Sequence, residues 1–224
     1  MKHALVLATT NRGKMTELRE LLVNQEIDVL SIADVLQEPF VVVEDGLTFA
    51  ENAVKKAVAA ATLTGMLALA DDSGLEVDAL NGAPGVRSAR FAHEHATGEE
   101  NNAALIAALR AKSDQAWLRP GDEEKFSARF RCALALVDPD DEKNSVVVVE
   151  EKMEGHVILN PRGTNGFGYD PLFVPAGFDR TFAELSSAEK NQLSHRGRAL
   201  VRIEPKIAAI IALQNVQITR TADR

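Results

Sequence analysis

The sequence predicts an α/β fold, on three observations: continuous apolar runs followed by amphipathic helical segments, an alanine-rich helix that leads straight into a second apolar run, and two long β-rich stretches joined by a turn. Leu5-Val6-Leu7-Ala8 is apolar without alternation, as suits a strand covered on both faces of a parallel sheet. Met15, Leu18, Leu21 and Leu22 then recur at helical spacing, with Glu17, Arg19 and Glu20 on the wet face, so Thr9 to Lys14 reads as the connecting loop. Thr48-Phe49-Ala50-Glu51 has the capping-box pattern and opens a helix to Thr64 that Gly65 ends. Met66 to Ala70 forms the second buried strand, whose end delivers Asp71-Asp72-Ser73-Gly74; Leu75 to Leu80 continues extended before the turn cluster Asn81 to Gly85.

Leu105, Ile106 and Leu109 share one face of a helix from about Glu99 to Ala111, and Ser113 to Glu124 reads as a polar surface loop. Phe126 to Val137 and Val146 to Ile158 are predicted to form a long antiparallel pair across the turn Asp138-Pro139-Asp140-Asp141. Gly and Pro crowd Pro161 to Gly177, which excludes regular structure throughout. Ser186-Ser187-Ala188-Glu189 is another capping box. A last helix from near Ser194 runs towards Gln214, with Pro205 expected to kink it or end its first half. Residues 1–214 read as one domain and 215–224 as a polar tail, loose from about Gln217.

Of 224 residues, 33 are acidic against 25 Lys and Arg, a net charge of -8 that repels a phosphate backbone and argues against long nucleic acid as a partner. A small nucleotide is a different case, because a few local cations and a bound metal override the global sign within one cleft. The lone cysteine, Cys132, sits in an apolar stretch and reads as a small buried hydrophobe. No secretory signal and no bilayer-spanning run is present, so a cytoplasmic address without membrane association is expected.

Three segments carry candidate chemistry. Free N–H groups at a helix start, its dipole and Lys14 make Thr9-Thr10-Asn11-Arg12-Gly13-Lys14 a candidate triphosphate site; the plainer alternative is a capped helix with a solvated lysine. Adjacent carboxylates at a buried strand end are costly to desolvate, and a cation is the usual reason to keep them. Alternation along the strand turns Asp71 and Asp72 to different sides, and Asp72, with Glu44 from Glu44-Asp45-Gly46, gives Mg²⁺ the small carboxylate set it prefers; a polar turn is the alternative. In Asn165 to Pro171 glycines flank Phe167, whose ring is a candidate platform for a purine, while His195 and Arg196 offer donors that suit a keto oxygen and meet an exocyclic amine donor against donor. The alternative there is a tight loop beside exposed basic residues. Lys56 lies one turn beyond the capped start of its helix, within reach of a phosphate, whereas most helix lysines are solvated.

Taken together and in order, Thr9 to Lys14, Glu51-Asn52-Ala53, Ala70 to Leu75, Gly82-Ala83-Pro84-Gly85-Val86, Gly166 to Pro171 and Ser194-His195-Arg196-Gly197 resemble the inosine/xanthine triphosphate pyrophosphatase family, from about residue 4 to residue 212. The resemblance implies a homodimer of α/β subunits, each an elongated mixed sheet flanked by helices with two lobes around a nucleotide cleft. It further implies Mg²⁺-dependent hydrolysis of non-standard purine triphosphates (ITP, dITP, XTP) to monophosphate and pyrophosphate, cleansing the nucleotide pool. By position, it makes Asp72 the catalytic carboxylate, and Glu44 and Asp72 the metal ligands. Thr9, Thr10, Asn11, Arg12, Gly13, Lys14 and Lys56 become phosphate and sugar contacts, and Ser73 a substrate contact. Phe167, Gly168, Tyr169, Asp170, Lys190, His195 and Arg196 become the nucleoside set. Arg87 stands where many relatives have an aromatic residue. The rivals are a pyrophosphatase for pyrimidine or methylated nucleotides and a nucleotide sensor that does not hydrolyse.

Overall fold

The computed structural model describes residues 3–22, 27–113, 124–141 and 145–222, the last eight of these by backbone alone. Most of the expected loop Ser113 to Glu124, with Trp117, lies outside the described residues. Six strands form one mixed sheet in the order β2-β1-β3-β4-β5-β6: β1 (His3–Leu7), β2 (Ile27–Ser31), β3 (Leu67–Val77), β4 (Lys125–Val137), β5 (Val146–Ile158) and β6 (Phe173–Pro175). β1 pairs parallel with both β2 and β3, which buries it on both faces as its unbroken apolar run predicts, and β5 pairs antiparallel with β6. The helices are α1 (Arg12–Leu22), α2 (Ile32–Val35), α3 (Phe49–Thr64), α4 (Gly98–Arg110), α5 (Ser187–Leu193) and α6 (His195–Ala222).

The chain divides into two compact units, Met1–Asp72 with Ala133–Glu150 and Ala199–Arg224, and Ser73–Cys132 with Glu151–Arg198. In the first unit, Leu5, Val6 and Leu7 of β1, Leu18 and Leu22 of α1, and Ala53, Ala57 and Ala60 of α3 are buried. Small alanines let α3 lie close to its neighbours, and the Gly65 terminus at φ 64° turns the chain into β3. In the second unit a core of aliphatic residues surrounds Phe130, Phe173 and Phe182, whose centroids lie 4.8–5.8 Å apart. Among the described residues no helix is long and apolar enough to cross a membrane. Cys132 is buried.

Four expectations need correction. Helix α1 begins at Arg12, because Asn11 caps it by accepting the Lys14 N–H at 3.0 Å; the loop is therefore only Thr9 to Asn11, and Arg12, Gly13 and Lys14 form the first helical turn. β3 does not end at the acidic pair but runs on to Val77, since Leu75 and Val77 bury on the second core, so Asp71 and Asp72 sit mid-strand, while Asp78–Leu80, expected extended, is a 3₁₀ turn. Of the two outcomes expected at Pro205, the end of the first half is the one overturned, since α6 continues through it. The backbone of α6 is helical to Ala222, past Gln217, from which a polar tail without regular structure was expected.

Candidate active site

In the first unit the acidic pair is resolved by strand alternation. Asp71, fully buried, takes Lys14 from the first turn of α1, Nζ to Oδ1 2.6 Å. Asp72 points the other way and takes Lys56 of α3, Nζ to Oδ1 2.8 Å. Lys56 is buried as well, and its Nζ also lies 3.4 Å from Glu44 Oε2, so the carboxylates of Glu44 and Asp72 converge on one ammonium. Its neighbour Lys55 is exposed and pairs instead with Asp45. One turn before Lys56, Asn52 donates to Asp72 Oδ2 at 3.4 Å. Burial pushes the Asp72 carboxyl up from the ordinary carboxylate value, against the pull of Lys56 and Lys14 and with help from the Glu44 charge. The start of α1 is tied to this set by the Lys14–Asp71 pair. Asn11 uses the Lys14 N–H and Thr9 Oγ1 accepts that of Asn11, while the N–H groups of Arg12 and Gly13, in the first turn, have no intrahelical acceptor. Thr9 is buried; Thr10, Asn11 and Arg12 are exposed.

The donor set suits a hard divalent cation. Two oxygen ligands, Glu44 and Asp72, already meet at a cation position held by an ammonium, and two carboxylates are the share that Mg²⁺ takes from protein when phosphate and water supply the rest.

In the second unit a tight turn builds the aromatic and basic set. Asp170, almost fully buried, accepts the Phe167 N–H at 2.8 Å and the Lys190 ammonium at 2.5 Å. Gly166, at φ 73°, is required there: a Cβ would stand 2.1 Å from Asp170 Oδ2. The Gly168 carbonyl accepts from Asn102 Nδ2 at 3.0 Å. Lys190 Nζ lies 5.0 Å and the Arg196 guanidinium 5.7 Å from the Phe167 ring centroid, so two cations attend the predicted platform. Arg196, 2% exposed, donates to Ser73 Oγ at 2.8 Å. Its sequence neighbour His195 stacks on Phe130, centroids 4.8 Å apart and planes 5° from parallel. Ser194 caps this start of α6 by accepting the Gly197 N–H at 3.1 Å.

The structure thus brings Lys14, Glu44, Lys56, Asp71 and Asp72 together in one unit, and Ser73, Phe167, Asp170, Lys190 and Arg196 in the other. Tyr169 is placed differently from its neighbours. Its side chain belongs to the core, its hydroxyl donates to the Ser88 carbonyl at 2.9 Å, and burial raises its pKa. The basic residues of the second set are buried, not exposed as the plainer reading of that segment had it. Sequence reasoning gave no role to Asn52, Asp71 or Ser88. For Asn52 a signal existed: it stands four residues before Lys56 on the face of α3 that otherwise presents alanines.

Comparison with known proteins places the chain in a family. The sequence profile of the Ham1 family matches residues 5–206. A dITP/XTP pyrophosphatase of Desulforamulus reducens is 50% identical over 196 residues, 88% of this chain and 91% of that protein. One of Syntrophobacter fumaroxidans is 45% identical over 100% of this chain and 89% of its own length. Among solved structures, a HAM1 protein from Coxiella burnetii is 41% identical with a TM-score of 0.77, covering 92% of this chain and 99% of that one. A nucleoside-triphosphatase / dITP/XTP pyrophosphatase from Mycobacterium abscessus is 42% identical with a TM-score of 0.67, over 90% and 99%. With a profile that spans most of its length and relatives this similar over nearly the whole sequence, the chain belongs to the Ham1 family.

Proposed function

We propose that this chain hydrolyses non-standard purine nucleoside triphosphates, ITP, dITP and XTP, to the monophosphate and pyrophosphate with Mg²⁺ as cofactor. The observation that carries this reading is the convergence of Glu44 and Asp72 on one cation position beside the Lys14–Asp71 pair. The dITP/XTP pyrophosphatase names of relatives at 44–50% identity supply the substrate class.

The reaction forms a bond from a water oxygen to the α-phosphorus and breaks the bridging bond to the β-phosphate, with pyrophosphate leaving. Asp72 orients the water and accepts its proton. Glu44 and Asp72 would hold Mg²⁺, which when bound neutralises phosphate oxygens and draws charge from the reacting phosphorus. Lys56 and Lys14 offset the charge that grows on the leaving pyrophosphate, and the Thr9 to Lys14 segment grips the phosphates through the amides and positive dipole end of α1. Ser73, Phe167, Gly168, Asp170, Lys190, His195 and Arg196 take the nucleoside; the donors of His195 and Arg196 match a 6-keto oxygen and oppose the amine of adenine. Because Tyr169 packs into the core, its part is to hold the turn by its hydroxyl.

A substrate panel tests this reading: ITP, dITP and XTP exceed ATP and GTP in kcat/KM by a wide margin, and equal rates, or preference for pyrimidine or methylated nucleotides, contradict it. The homodimer, the cytoplasmic address and the lack of nucleic-acid binding belong to the same proposal. Sedimentation at micromolar concentration checks the first.

A further inference from the structure

We infer that Asn52 is a positioning residue, one that ties the Glu44 segment to the Asp72 strand so that both carboxylates face one divalent cation; this rests on the function proposed above. Asn52 is fully buried, yet none of its amide group goes to helix capping. Its Oδ1 accepts the Gly46 N–H at 2.8 Å, two residues beyond Glu44, and its Nδ2 donates to Asp72 Oδ2 at 3.4 Å. A single planar amide therefore touches both ligand-bearing segments, and its neutral donor leaves Asp72 Oδ1 to the cation position that Lys56 marks. Gly46 is shaped to receive it. A Cβ there would meet Asn52 Oδ1 at 2.6 Å and Glu51 Cβ at 2.9 Å, so only glycine lets the chain approach closely enough for the bond. The segment is held at the next residue too, where Leu47 N–H donates to Glu51 Oε2 at 2.7 Å. Glu51, expected to complete a capping box with Thr48, thus reaches past the cap to fix the acidic loop. Groups that orient metal-binding carboxylates commonly carry 10- to 100-fold in affinity, roughly the effect expected here.

A second buried asparagine provides the control. Asn101 accepts the Ala92 N–H at 2.9 Å and donates to the Ala89 carbonyl at 3.1 Å, touching no carboxylate. The experiment titrates the full-length chain with Mn²⁺ alone, followed by electron paramagnetic resonance, on wild type, Asn52→Ala, Gly46→Ala and Asn101→Ala, with circular dichroism and Tm for each. The inference predicts Mn²⁺ Kd raised about tenfold or more in Asn52→Ala and Gly46→Ala, and unchanged in Asn101→Ala even where its Tm falls as far. Equal Mn²⁺ affinity in all four, with only Tm altered, makes Asn52 a structural residue and overturns the inference. So does absence of Mn²⁺ binding by the wild type. Failure of the proposed function shows separately, as absence of pyrophosphate release from ITP by a wild-type chain that binds Mn²⁺. If Asn52→Ala does not fold, Gly46→Ala, which keeps the amide but displaces it, decides the matter.

Discussion

In the first unit three carboxylates, Glu44, Asp71 and Asp72, meet two ammoniums, Lys14 and Lys56, whereas in the second one carboxylate, Asp170, meets both Lys190 and, through the Phe167 ring, Arg196. Carboxylates outnumber ammoniums in the ion pairs of the first set, and cations outnumber carboxylates in the contacts of the second. On the function proposed above, the first set takes a divalent cation, which brings polyphosphate with it, and the second offers donors and an aromatic face to a purine keto oxygen. Asp72 and Ser73, consecutive residues of β3, give each set one member.

The sharpest way to break this comparison is to remove the excess on the acidic side. Asp72→Asn should lower kcat for ITP by roughly 10²–10³-fold or more while far-UV circular dichroism stays unchanged; activity near wild type would remove Asp72 from the chemistry. Next in size is Lys56→Met, which leaves Asp72 buried without its closest counter-charge. Denaturant unfolding should show a loss of about 3 kcal/mol, and added Mg²⁺ should restore more stability to this variant than to wild type, because the ion replaces the missing cation. On the basic side, Arg196→Met should cut discrimination of ITP over ATP by roughly 10- to 100-fold, mostly in KM, since it removes a base-facing donor and not a group on the phosphates.

The smallest effect lies outside both sets. Hydrogen bonds from Arg180 and from Ser186 hold Glu189 down to about 2, below its ordinary 4.5, at the capping box of α5 that presents Lys190. A depressed carboxylate contributes stability above its unfolded pKa and loses it as pH falls towards the folded value. Glu189→Gln should therefore lower the denaturation midpoint slightly near neutral pH and flatten its decline between about pH 4.5 and 2, the variant and wild type converging at the acid end.

Elements whose signal is local could be read from the sequence. β1, α3 with its Thr48 cap and Gly65 stop, the α5 capping box and the two long β stretches all stand where the sequence puts them, because propensity, pattern and capping agree there. Long-range packing decided what could not be read. β3 extends through two aspartates since each finds a lysine from a different helix, and no strand rule foretells such neutralisation. At the site, the alternation that separates Asp71 from Asp72 was legible, whereas the pairing of Lys56 with Asp72 and Glu44 was not. The spacing of Asn52 from Lys56 put it on the alanine face, but its partners Gly46 and Asp72 come from distant segments that no local pattern pairs with it. Tyr169 was read with its neighbours in one motif, whereas the two glycines of that turn aim adjacent side chains to opposite fates, Asp170 to Lys190 and Tyr169 to Ser88.

Phosphorus NMR of the products formed from ITP tests the central claim most directly. With Mg²⁺ present, the wild-type chain is predicted to release inosine monophosphate and pyrophosphate in equal amounts, to stop on addition of EDTA and to resume when Mg²⁺ is restored. Orthophosphate as the first product, or turnover that continues through chelation, would contradict the account.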